Sequence, residues 1–173
     1  MVASAHALAA HTLAVRLKEK NKSTWWCLLL PLALHFVLDA FPHVEPSMLG
    51  SNPLVLGTLG FWWTAADGGV SLLLTYRLAR LLPDYRIPII AAMFGAWLPD
   101  FLWMAGKLSG WSWFIPFLEF HESFHWWRPY LSTPSIWILG SLATVLTWVL
   151  SFWVMPKANA AVVPVEASLT FTS

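Results

Sequence analysis

Five apolar stretches separated by short polar turns set the pattern of this chain. Residues 2–17 (VASAHALAAHTLAVRL) are rich in Ala and Leu and read as a helix, short for a full membrane span, with His6 and His11 inside it. Arg16, Lys18, Glu19, Lys20 and Lys22 form a polar turn, and Ser23 or Thr24 is placed to cap the next helix. Residues 24–42 form the first strong span, opened by Trp25 and Trp26 and containing Pro31, where a kink is expected. A loop over 43–53 follows. Residues 54–76 form a second strong span, interrupted by Asp67-Gly68-Gly69, and residues 77–86 a second polar loop. Residues 87–106 are a third span carrying Pro99-Asp100. The Trp-rich segment 107–134 holds Pro116, Pro129 and Pro134 and predicts a short helix lying at the interface or dipping into the bundle. Residues 135–155 are a final span free of charges.

The pattern predicts an all-α, polytopic membrane helix bundle of four to five spans with a short interfacial helix. Residues 1–157 make the membrane domain, and 158–173, which lack periodicity, a disordered tail. Composition agrees. The 173 residues are 58% hydrophobic and only 11% charged, against roughly 25% charged in an ordinary soluble domain; mean hydropathy is +0.62. Net charge is +1 with scattered basic residues, so nucleic acid is not an expected partner; the lipid bilayer is. Oligomeric state is not legible. The lone Cys27 excludes an intrachain disulfide and a thiolate metal cluster. Residues 1–14 carry no basic region before the apolar run and do not read as a cleaved signal peptide. If each apolar stretch crosses once, the basic loops 16–22 and 77–86 and Lys157 share one side, which the positive-inside rule makes cytoplasmic in an inner or plasma membrane.

Within this apolar frame the polar residues stand out. His35 and Asp39 lie four apart in Leu34-His35-Phe36-Val37-Leu38-Asp39-Ala40-Phe41-Pro42-His43, on one helix face. At 1.5 Å rise per residue, His6 lies about 15 Å from the cytoplasmic end, His35 about 16 Å, Asp67 about 15 Å, and Asp39 and Asp100 about 20 Å. His43, His121 and His125 belong to the outer-side segments. Such groups are costly in hydrocarbon and are expected to pair or to serve a function. A single buried site opening to the non-cytoplasmic side is the expectation. His6, His35, Asp39, Asp100, His121 and His125 are its candidate metal ligands. Imidazole and carboxylate donors without thiolate suit Zn²⁺, with Mn²⁺ or Fe²⁺ as alternatives. The bland reading is a set of helix–helix hydrogen bonds. A single site requires the ring nitrogens of His35 to lie within about 10 Å of those of His121 or His125.

His121-Glu122-Ser123-Phe124-His125 matches H-E-x-x-H, which on a continuous helix binds Zn²⁺ with the Glu activating water. Pro116 and Pro129 flank it closely. His11, five residues from His6, faces another way and reads as interfacial. Asp67 is a ligand or simply marks a helix break. Arg128 pairs with Glu122 or with a phosphate, and the Trp residues read as an interface belt.

With these residues in hand, the chain resembles the bacterial membrane-bound metal-dependent hydrolases, a group that includes the LexA-regulated inner-membrane hydrolase. The resemblance rests on an early His6, Gly95-Ala96-Trp97-Leu98-Pro99-Asp100, the pair His121/His125, and His35 with Asp39. It is also similar to small uncharacterised bacterial membrane proteins with an H-F-x-L-D-x-x-P-H segment, here residues 35–43. The His35/Asp39 motif precedes Pro99-Asp100, the reverse of the order in the better-known hydrolases. The resemblance implies metal-dependent hydrolysis, with Glu122 or Asp39 as proton acceptor. The depth of the site points to a lipid or lipid-linked substrate. Three alternatives stand beside it: an H-E-x-x-H zinc protease, a haem carrier using His35 and His125, and a non-catalytic membrane protein with a structural polar cluster.

Overall fold

The computed structural model describes residues 3–49 and 52–155. The expected tail lies outside these residues, as does Lys157, one of the three basic markers of orientation. Among the described residues there are six α-helices and no strand: α1 Ala3–Glu19, α2 Thr24–Asp39, α3 Leu59–Leu81, α4 Arg86–Ser109, α5 Ile115–Ser123 and α6 Thr133–Val154. Helix α1 is central, packing against α2, α3, α4 and α6. Its Ala5, Ala7, Ala10 and Ala14 are fully buried, because small side chains let neighbouring backbones come close on several sides. That centrality corrects the reading of His11 as interfacial. The ring is fully buried, with Nε2 3.1 Å from Thr75 Oγ1 on α3.

Helix α2 stops at Asp39, three residues short of Pro42. Helix α3 starts later than the hydrophobic pattern predicts. Asn52 Oδ1 accepts the Leu54 N–H, Gly57 takes a φ of 88°, and Thr58 Oγ1 caps the helix through the Phe61 N–H, so 54–58 are turns. The helix runs through Gly68-Gly69 without a break and on past Arg77 and Arg80 until Pro83. Helix α4 ends at Gly110 in the left-handed conformation. Helix α6 begins with Ser132 Oγ accepting from the Ser135 N–H.

Two segments are long and apolar enough to cross a membrane, Pro83–Ser109 and Thr133–Trp153; α2 is apolar but shorter. Helix α6 presents Leu142, Val145, Leu146 and Val149 outward, an apolar strip that water would not tolerate at this length. Val15 near the end of α1, Ala79 of α3 and Ile89 of α4 form one buried cluster. The two basic turns therefore sit at the same end of the bundle.

Candidate metal centre

The donors reach the centre from several elements. Asp67 accepts the backbone N–H groups of Ala3 and Ser4, fixing the first turn of α1 one turn ahead of His6. Asp67 is thus a helix anchor, and the helix break expected there is not found, because α3 runs through it. Helix α2 contributes His35 and Asp39, and α4 contributes Asp100. Gly95 and Pro99 shape that part of α4. A Cβ on Gly95 would lie 2.2 Å from the Leu28 carbonyl oxygen, so only glycine allows α2 and α4 this approach. Helix α5 supplies His121, and the turns after it His125. Trp127 Nε1 donates to the Asp39 carbonyl at 3.2 Å and Trp126 Nε1 to Ala40 at 3.1 Å, tying those turns to the end of α2. Trp127 is 1% exposed, so it belongs to the core and not to an interface belt.

Five imidazole Nε2 atoms surround the Asp39 carboxylate. His6 and His43 face Oδ1 at 3.1 and 4.0 Å. His35, His121 and His125 face Oδ2 at 3.0, 3.5 and 3.9 Å. His35 and His121 bring their Nε2 atoms within 3.4 Å of each other, and each lies 3.7 Å from Asp100 Oδ1. The single-site requirement is met with a wide margin. All five histidines and Asp39 are buried, whereas the Asp100 side chain is 51% exposed.

Tautomers decide what this crowd means. His35 Nδ1 lies 2.7 Å from the Ala96 carbonyl oxygen, and His43 Nδ1 lies 2.9 Å from that of Phe41. A carbonyl only accepts, so both Nδ1 atoms carry protons and a neutral ring turns the Nε2 lone pair inward. In these two rings the lone pair then faces the Asp39 carboxylate, an arrangement that a cation between them would resolve. The spacings agree. Two donors about 2.0–2.1 Å from one tetrahedral ion stand roughly 3.4 Å apart. Three overlapping sets hold donor atoms within 4.8 Å of one another: His6/His35/Asp39, His35/Asp100/His121 and Asp39/His43/His125. Among the described residues that line the adjoining cavity are five carboxylates, Asp39, Glu45, Asp67, Asp100 and Glu122, and one guanidinium, Arg128.

His43 and Glu45 were absent from the sequence-derived ligand set. Glu45 Oε1 lies 3.5 Å from His125 Nε2 and 3.8 Å from His43 Nε2. The signal for His43 was its position four residues beyond Asp39, repeating the His35–Asp39 interval. Pro42 obscured it, because the helix stops at Asp39 and the chain turns His43 back toward the carboxylate. Glu45 left no periodic trace.

Glu122 is held elsewhere. Trp103 Nε1 donates to it at 2.9 Å, and Arg128 bonds both it and Glu45. Burial alone would raise the Glu122 pKa and lower that of Arg128; these hydrogen bonds and opposite charges reverse both shifts. Arg128 thus pairs with Glu122, one of its two expected partners. Burial also pushes His125 down to about 3, leaving a neutral ring. The continuous helix that an H-E-x-x-H protease needs is not formed, because α5 ends at Ser123 and His125 follows in a turn closed by its N–H to the Glu122 carbonyl. Nor do His35 and His125 face each other across a slot as haem ligands would; both point at one carboxylate.

A cavity of about 470 Å³ opens beside the cluster, within the ~300–1,000 Å³ usual for small-molecule sites. Asp39, Asp100, His121 and His125 lie on its wall. No protein-family model, curated protein or solved structure matches this chain.

Proposed function

We propose that the protein is an integral-membrane, metal-dependent hydrolase whose buried His/Asp centre acts on a membrane-derived substrate. The observation that carries this reading is the convergence of five imidazole Nε2 atoms on Asp39, two of them with Nδ1 committed to backbone carbonyls. His6, His35, His43, His121, His125, Asp39 and Asp100 supply more donors than one tetrahedral Zn²⁺ accepts. Two or more ions would use all of them, with His6 and His43 on the Oδ1 side of Asp39 and His35, His121 and His125 on the Oδ2 side. Zn²⁺ fits these donors, and Mn²⁺ or Fe²⁺ are the alternatives.

Such ions supply Lewis acidity and a water acidic enough to attack near neutral pH. The chain's residues do the rest. His35 and His43 are aimed by their backbone partners, and Asp100, half exposed on the cavity wall, is the carboxylate a substrate meets first. With both oxygens among imidazoles, Asp39 acts as ligand; proton transfer falls to Asp100 or, through exchange of its Arg128 pairing, to Glu122.

Four to five crossings follow if α2, α3, α4 and α6 span and α1 spans as a shorter, protein-buried helix. Seventeen residues reach about 25 Å, enough where neighbours cover the ends. The shared end of the two basic turns favours a cytoplasmic location for them, with the metal centre toward the other side. The short motifs shared with the bacterial membrane-bound metal-dependent hydrolases agree with this reading.

The test is turnover of a panel of lipid carboxylic esters and phosphoesters by protein in vesicles, before and after chelation. Hydrolysis that disappears on chelation, returns with Zn²⁺ and is lost in Asp100→Asn supports the assignment. A metal-loaded protein that hydrolyses neither class contradicts it.

A further inference from the structure

Glycine inside a helix costs stability relative to alanine, so each such residue invites a reason. Gly95, Gly106 and Gly140 have one: a Cβ would meet Leu28, Phe114 or His43 at 3.0 Å or less. Gly68 and Gly69, mid-way along α3, have none. A Cβ at either meets nothing within 4 Å. They differ in what lies beside them. Gly68 lines the cavity that reaches the metal centre, and Gly69 is exposed outside it.

The cavity wall is mostly apolar. Leu54, Trp63, Trp97, Phe101 and Met104 line it together with the donors Asp39, Asp100 and His121, and Asp67 beside Gly68 is engaged by the backbone of α1. Among the described lining residues, Arg128 is engaged by Glu45 and Glu122. Oily walls leading to a cluster of metal donors suit a ligand apolar at one end and oxyanionic at the other.

We propose that the space beside Gly68 holds the alkyl chain of an amphiphile whose oxyanionic head reaches the metal centre, and that Gly68 sets the room available to that chain. This rests on the metal-site reading for the head, but the chain site stands on the cavity and on Gly68. A leucine at 68 would project into the cavity and narrow it, whereas the same leucine at 69 would lie outside it. Both raise helix propensity, so folding of α3 is not put at risk.

The probe is dodecyl phosphate carrying a photoreactive diazirine at the chain terminus, added to protein in lipid nanodiscs, with adducts mapped by mass spectrometry and metal content measured on each sample. Adducts on Leu54, Trp63 and Phe101 are expected in the wild type. They should fall at least fivefold in Gly68→Leu, less in Gly68→Ala, and stay unchanged in Gly69→Leu. Adducts on the outward face of α6 should be equal in all four, as a measure of labelling from the bilayer. Cavity labelling that is indifferent to Gly68→Leu, or equally reduced by Gly69→Leu, overturns the proposal. A wild type without metal overturns the metal reading alone, because the comparison of positions 68 and 69 is still read.

Discussion

His35 and Ala96 are joined across the α2–α4 interface by a 2.7 Å hydrogen bond from the ring Nδ1–H to the backbone carbonyl. This bond fixes the tautomer and aims Nε2 at Asp39 and His121. It would also link metal binding to the closeness of two helices, since Ala96 follows the glycine that allows their approach. Outer-shell partners of this kind commonly change metal affinity by about 10–100-fold when lost.

Gly95→Ala should therefore damage fold and site together. The added methyl meets the Leu28 backbone oxygen, which has no rotamer to escape into. A loss of about 1–3 kcal/mol from overpacking is expected, with a fall in bound metal. Thermal unfolding in detergent and metal analysis of the same sample check both.

Gly140→Ala tests the other side of the centre. A Cβ there would lie 2.7 Å from His43 Cα, so α6 can press on the His43 backbone only through glycine. The variant should lose metal in part, through displacement of His43, and retain the share held by His35 and His121. Complete retention of metal would show that α6 does not position His43.

Arg128→Gln leaves Glu45 and Glu122 without their shared guanidinium. The Arg128 side chain is 37% exposed, which discounts the loss of its two ion pairs to about 1–2 kcal/mol. A lower unfolding temperature, with the difference narrowing at high salt, is the expected result.

Binding that favours the folded state stabilises it by mass action. Zn²⁺ at 100 times its dissociation constant should add about 2.7 kcal/mol to chelated wild type. Asp39→Asn, which removes the shared carboxylate charge, should show no such response. Unfolding curves with and without added Zn²⁺ give the answer.

Much of this architecture was legible because hydrocarbon is unforgiving. His6, His35, Asp39 and Asp100 were found as polar exceptions on apolar stretches, and the helix rise placed them at similar depths; His121 and His125 were read from the outer-side segment above them. Direction was not legible: equal depth does not tell which way a side chain faces. His11 shows this, since nothing in its own stretch reveals that α1 is buried all round. Boundaries failed where turn chemistry overrode hydropathy, as at Asn52 and Thr58 before α3. His43 and Glu45 were hidden because they enter from a loop, where no period marks a face. The short helix expected between Pro116 and Pro129 is what forms: α5 ends at Ser123, so His121 and His125 do not share one helix.

The central claim is that one cluster holds metal through residues from separate helices, and metal analysis of detergent-purified protein tests it most directly. Wild type should carry stoichiometric metal, more than one equivalent if Asp39 bridges, while His35→Ala and His121→Ala should both lose it although they lie on different helices. Metal-free wild type, or two variants that retain the full complement, would contradict the account.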